Sequence, residues 1–282
     1  MNTLKRIYVM AYLTGAVVLV IKAGQGLIFG HHWFAWLGVL LTVLPIVLML
    51  SAAMISRRMA RTSANFPVFI ALGLVGLLWA AWEAHFAGGE REPVYLALAG
   101  FVGFLLYVFW YSRFGRKPSP AIAVGTILPA FEVVNSAGKT VSSAELTQTA
   151  AVLIFIRGNW CPLCMGQVNE MAAGITPFAE RSIRVAFIAP QSVGKTGALA
   201  QGKPAGMEFY SDTGNAAGRR LGIDNPASLP LGMELLGYRS ETVLPTVIAL
   251  APGGEILWTH ETDNYRVRPT PDELLAVFHG AV

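Results

Sequence analysis

Apolar positions fill four long stretches of the first 111 residues almost without interruption, at about 7–29, 33–54, 67–87 and 93–111. Each is close to the ~20 residues a helix needs to cross ~30 Å of hydrocarbon. Each is also apolar on every side, where a surface helix of a soluble core would show a single apolar stripe. The pattern predicts four transmembrane helices within residues 1–111, with the lipid bilayer as their partner. Trp33, Trp36, Trp110 and Tyr111 stand near the predicted ends, where amphipathic rings suit the membrane–water interface. The first stretch is too long for the apolar core of a cleaved signal peptide and three more follow it directly, so it reads as a retained helix. Lys22, Glu83 and His85 fall toward predicted helix ends, where long or polar side chains reach the interface.

After residue 111 the pattern breaks. Prolines at 118, 120 and 129 mark a linker over 112–124, and residues 125–282 mix polar and apolar positions as a domain with its own core does. "AAVLIFIR" (150–157) and "IRVAFIA" (183–189) are continuous apolar, β-branched runs, the signature of strands covered on both faces. "TVIALA" (246–251), the turn "PGG" and "EILWTHE" (255–261) read as a hairpin. Helical patterns follow Cys164, recur around 215–221, and end the chain at 271–278, where Thr270 can cap and Pro271 occupies the first helical position. The expected architecture is a four-helix transmembrane region followed by an α/β domain with a mixed central sheet and helices on both faces.

Charge refines this picture. Of all residues, 54% are hydrophobic and only 13% charged, and the net charge is +4. Residues 1–111 hold seven Lys and Arg against three acids, while residues 112–282 hold fourteen of each. The excess therefore belongs to the membrane half, and no basic stripe remains for nucleic acid. Lys5 and Arg6, then Arg57, Arg58 and Arg61, then Arg113, Arg116 and Lys117 flank alternate ends of the apolar stretches. His31 and His32 in one remaining loop, and Glu90, Arg91 and Glu92 in the other, contribute a single cation. The positive-inside rule then predicts a protein of a bacterial inner (plasma) membrane whose domain beyond residue 112 faces the cytoplasm.

Both cysteines of the chain lie in "FIRGNWCPLCMG" (155–166), as Cys161 and Cys164. The motif falls just past a buried strand and at the start of a helix, where unpaired N–H groups favour a thiolate and a second thiol one turn on is within disulfide reach. A C-x-x-C at such a junction in an α/β domain points to redox chemistry. A zinc site would need two further ligands, yet outside the membrane half only His260 and His279 are present, eighteen residues apart, so neither a metal nor any cofactor beyond the dithiol is expected. Arg157, at the end of the strand, is the candidate for lowering a thiol pKa, and Trp160 for shielding the pair from water. "VGKTG" (193–197) lacks the leading glycine and spacing of a phosphate loop. Arg266 and Arg268 in "DNYRVRP" offer an anion site near the last helix, with solvated strand-edge charges as the alternative.

The segments "VGTILPAFEVVNSAGKTVSSAEL" (124–146), "FIRGNWCPLCMGQVNEM" (155–171), "FYSDTGNAAGRRLGI" (209–223) and "LPTVIALAPGGEILWTHETDNYRVRPTPDEL" (244–274) together resemble the peroxiredoxin-like AhpC/TSA (redoxin) branch of the thioredoxin superfamily. The resemblance implies a thioredoxin-like fold, and a cis peptide between Leu244 and Pro245 facing the cysteines. Laid on the peroxiredoxin active-site loop, Arg157 takes the proline position, Cys161 the threonine position and Cys164 the peroxidatic position, while the peroxide-activating arginine falls on Pro245. Laid on thioredoxin, Cys161 is the nucleophile, Cys164 resolves, and the buried acid falls on Phe155. The reading drawn from this hybrid is a membrane-anchored thiol-disulfide oxidoreductase, with Cys161 attacking, Cys164 resolving and Pro245 shaping a groove for a protein disulfide. Its alternatives are a thiol-dependent peroxidase acting on peroxide, and a membrane solute- or quinone-binding protein with a redox-sensing domain. An external thiol such as thioredoxin is the expected reductant.

Overall fold

The computed structural model describes residues 2–30, 32–239 and 241–280, so His31 lies outside the described residues. The chain forms two compact units. One comprises Thr3–Ser56 and Thr62–Arg113; the other comprises Asn2, Arg57–Arg61 and the chain from Phe114 onward.

The first unit consists of α1 (Asn2–Phe29), α2 (Trp33–Ser56), α3 (Pro67–Phe86) and α4 (Glu92–Leu106), the last running on through a π-helical turn to Tyr111. All four, with α4 counted through that turn, are long and apolar enough to cross a membrane. Small residues bring α2 and α3 together: a Cβ on Gly38 would strike the Gly76 carbonyl, and Ala80 packs beside it. Tyr12, Ile46, Phe104 and Tyr107 fill one interior cluster, and Trp36, Val39 and Ala97 another. Val18, Ile21, Leu48, Leu78 and Trp82 point outward and are exposed, as lipid-facing side chains would be. The ionisable residues pair locally, Lys22 with Glu92 and His32 with Glu83.

The second unit opens with a hairpin of β1 (Glu132–Asn135) and β2 (Thr140–Ser142), leading through the short α5 (Ser143–Leu146) into β3 (Ala151–Phe155). α6 (Pro162–Ala173) and α7 (Thr176–Glu180) precede β4 (Arg184–Ala189), and α8 (Val193–Ala200) precedes β5 (Met207–Ser211). After α9 (Ala216–Arg220), the two-residue strands β6 (Asp224–Asn225) and β7 (Thr242–Val243) pair apart from the main sheet. β8 (Thr246–Leu250), β9 (Ile256–Glu261) and α10 (Pro271–Ala276) complete the fold. The main sheet runs β2-β1-β5-β4-β3-β8-β9, with β3, β4 and β5 parallel and the rest antiparallel.

β3 is central and wholly buried, which accounts for its unbroken apolar run. α10 begins as its sequence suggests, with Thr270 and Glu273 forming a reciprocal capping box and Pro271 following. "VGKTG" is the first part of α8, capped by the Ser192 side chain, and Lys195 donates to the Leu236 carbonyl. The 112–124 stretch is a docked strap. The Arg116 guanidinium is 2% exposed, pairs with Glu261 at 2.6 Å and also donates to the Pro245 carbonyl and to Thr246 Oγ1, while Ser119 N donates to the same carboxylate.

Candidate active site

The site forms where the carboxyl end of β3 meets the start of α6. Ile156 N donates to the Ile188 carbonyl, continuing the β3–β4 ladder one residue past the strand. The chain then turns at Gly158, whose φ of +132° is a conformation that side chains resist. Asn159 and Gln191 brace this turn with a reciprocal pair of hydrogen bonds, and Asn159 Nδ2 donates to the Lys195 carbonyl. Cys161 N closes the turn on the Gly158 carbonyl, and Cys161 serves as N-cap of α6 with Pro162 at the first helical position. Cys164 thereby falls in the first turn of α6, pointing inward.

Both thiols are buried, Cys161 at 2% and Cys164 at 0% exposure, and neither is in a disulfide. Their environments differ. Arg268 Nη2 donates to Cys164 Sγ at 3.3 Å, and Arg268 Nη1 donates to Gln167 Oε1 at 2.6 Å, which fixes the guanidinium plane. Burial by itself would raise the Cys164 thiol. Against it, the hydrogen bond from Cys161, the Arg268 charge, the Arg157 backbone N–H and the Arg157 charge bring Cys164 down to about 5. Cys161 moves the other way: its proton is held by the hydrogen bond to Cys164, and burial and the neighbouring negative charge push it well above the usual thiol range. These shifts favour the negative charge on Cys164 and the proton on Cys161, whereas the helix-mouth position by itself favours a thiolate at Cys161.

Arg157 and Trp160 meet beside the thiols. Arg157 is buried, its guanidinium 4.5 Å from the Trp160 ring centroid and 5.5 Å from that of Tyr265, and Trp160 Nε1 donates to the Arg157 carbonyl at 3.1 Å. The solvated strand-end alternative for Arg157 therefore fails. Pro245 precedes β8, and Thr246 pairs with Phe155, so the proline stands at the same end of the sheet as the cysteines and lines one narrow cleft with Gln167 and Arg268. The expected cis bond is absent: among the described residues every peptide is trans. Here Leu244 N donates to the Ile223 carbonyl and the Pro245 carbonyl receives Arg116, so the chain enters β8 through tertiary hydrogen bonds in the trans form.

Arg268 is the functional residue that the pattern undervalues. Arg266 and Arg268 are 1% and 4% exposed, so neither is a solvated strand-edge charge. An arginine alternating with apolar residues just before the last helix was the available signal, but its partners stand about a hundred positions away in α6.

A thioredoxin-like sheet carrying two buried cysteines at a strand-to-helix junction defines a thiol enzyme, peroxidase or oxidoreductase, that follows four apolar helices in the sequence. Residues 124–259 match the sequence profile of the AhpC/TSA family. No curated protein sequence matches the chain. Similar solved structures include the peroxidoxin BcpB from Mycobacterium tuberculosis, at 16% identity and TM-score 0.47, covering 59% of this chain and 99% of that one. A peroxiredoxin-like protein from Aquifex aeolicus gives 12% identity and TM-score 0.48, covering 58% and 90%. Enterococcus faecalis AhpC gives 13% and 0.46, covering 56% and 91%.

Proposed function

We propose that this protein is a membrane-anchored thiol peroxidase in which Cys164 attacks the peroxide and Cys161 resolves the product. The observation that carries the reading is the buried Arg268 guanidinium on the Cys164 sulfur. It favours the thiolate, and its remaining N–H groups suit the negative charge that develops as an O–O bond breaks. Cys164 Sγ bonds the distal oxygen, the O–O pair leaves on the other oxygen, and that alkoxide or hydroxide takes the Cys161 proton. Cys164 is now a sulfenic acid. The Cys161 thiolate attacks its sulfur, the S–O bond breaks, hydroxide departs and takes a proton from buffer acid in bulk solvent to leave as water, and a disulfide remains for an external thiol such as thioredoxin to reduce. Burial of both sulfurs favours a substrate of two oxygen atoms over a polypeptide strand.

The test is the reduced full chain in detergent, offered hydrogen peroxide or an oxidised protein disulfide. Peroxide should react at least about tenfold faster; rapid disulfide exchange without peroxide turnover would restore the oxidoreductase reading. Acidification protonates the attacking thiolate, so the peroxide rate should be flat above about pH 6 and fall about tenfold per pH unit once the pH drops below about 5. A rate still climbing steeply between pH 7 and 9 would assign the attack to a thiol of ordinary or raised pKa.

The same proposal places the four helices in a bacterial inner membrane with the thiol unit in the cytoplasm. What supports this is that Arg57–Arg61, a cationic stretch between α2 and α3, belongs to the same compact unit as the cysteines. A reporter fused at the C-terminus should show cytoplasmic activity; periplasmic phosphatase activity would reverse the orientation.

A further inference from the structure

Residues 57–61 lie across the helix that carries the cysteines. A Cβ on Gly166 of α6 would collide with the Met59 carbonyl, so the glycine lets the Met59–Ala60 backbone rest directly on the helix. Asn169 Nδ2 donates to the Arg57 carbonyl one turn further on. Arg61 makes the densest set of contacts. Its guanidinium forks onto Glu170 of α6, at 2.8 Å from Nη1 and 2.5 Å from Nη2. Nε donates at 2.9 Å to the Arg268 carbonyl, and Nη2 at 3.1 Å to the Pro269 carbonyl. One side chain therefore ties α6, which holds Cys164, to the two residues whose backbone carries the guanidinium that contacts Cys164.

We propose that Arg61 is a positioning residue for the thiol site: it fixes the 268–269 backbone against α6 and so holds the Arg268 guanidinium on Cys164. This rests on the assignment of Cys164 as the reacting thiolate. Arg61 needs all of its geometry for the task. A planar fork can satisfy a carboxylate and two carbonyls at once, whereas a lysine ammonium at the same place keeps the charge but reaches fewer of these acceptors. The charged or titratable groups acting on Cys164 are Cys161, Arg268 and Arg157, so movement of Arg268 is the route by which Arg61 is felt.

Two substitutions separate positioning from charge. Arg61→Ala removes both the fork and a positive charge. Glu170→Gln leaves Arg61 charged but weakens its anchor, and because it removes a negative charge, electrostatics alone would lower the Cys164 pKa. Positioning predicts that both variants raise it. With only two cysteines in the chain, thiolate absorbance of the detergent-solubilised full-length protein titrates the site directly. The midpoint of Cys164 should rise by about one pH unit in Arg61→Ala and in the same direction in Glu170→Gln, with a matching fall of about fivefold in the peroxide rate at pH 5. Arg61→Lys should restore part of each. An unchanged midpoint in Arg61→Ala, or a lowered one in Glu170→Gln, with thermal unfolding confirming a folded protein, would overturn the proposal and leave Arg61 as a structural staple. If the midpoints shift as expected while the wild-type protein turns over no peroxide, the positioning role stands and the peroxidase reading fails.

Discussion

Cys164→Ser should abolish peroxide reduction, a loss of at least about a thousandfold in the second-order rate, equivalent to about 4 kcal/mol of activation free energy. Serine at this buried position is protonated at neutral pH, and a guanidinium 3.3 Å away cannot remove its proton. Cys161→Ser should behave differently. The thiolate would keep a hydroxyl donor beside it, the first turnover would proceed within about tenfold of the wild-type rate, and Cys164 would accumulate as a sulfenic acid that a dimedone-type probe labels. Mass spectrometry after a stoichiometric pulse of peroxide reads both variants. The reverse pattern, with Cys161→Ser inert and Cys164→Ser trapped as a mixed disulfide on a protein substrate, would return the attack to Cys161 and the function to disulfide exchange.

Glu261→Ala should produce the largest loss of stability. Its carboxylate is the counter-ion of a guanidinium only 2% exposed, and burial already lowers the Arg116 pKa against the opposing pull of Glu261. Removing one member of a buried ion pair strands the other, at about 3–5 kcal/mol. In a unit of this size each kcal/mol moves Tm by about 2–4 °C, so thermal unfolding should fall by about 10 °C. Glu261→Gln keeps an acceptor for Arg116 and for Ser119 N and should lose less. Because Arg116 also holds the Pro245 carbonyl, the Ala variant should loosen the cleft wall beside Arg268, and its peroxide rate should fall before its fold does. A variant with wild-type Tm would show that the strap is dispensable.

The four apolar helices were legible because their signal is local: an apolar run of the right length needs no partner to be recognised. β3 and β4 were legible for the same reason, as continuous β-branched stretches, and so was α10, whose capping residues lie within four positions of one another. β5 emerged only through the family resemblance. The cysteines could be located by spacing, and the resemblance brought Pro245 to the correct end of the sheet, but their roles could not be read. A helix N-terminus favours the first thiol of a C-x-x-C. What favours the second thiol in the proposed reading is the hydrogen bond from Cys161 together with Arg268, the latter a contact across 104 positions that no local pattern encodes. Arg61 was equally opaque: in sequence it is one of three cations that orient a membrane loop, and only its fork on Glu170 and the 268–269 carbonyls shows a second use. The Leu244–Pro245 bond was expected to be cis on resemblance alone, whereas the structure has it trans.

The bond from Arg61 to the Arg268 carbonyl joins residues 207 positions apart, and the resting of Met59 on Gly166 joins residues more than a hundred apart. Such separations impose an order on biosynthesis. The 57–61 segment leaves the ribosome before α6 exists, so its bonds to Glu170 and to the 268–269 carbonyls can form only once those residues have been made. The thiol unit can finish only when its last residues return to that waiting segment, so closure is a late, high-contact-order event. A fragment beginning at Phe114 would lack the Met59–Ala60 backbone that covers Gly166, expose the flank of α6 and leave Glu170 without its arginine. Soluble expression of the C-terminal part alone would therefore yield a domain missing one of its own walls.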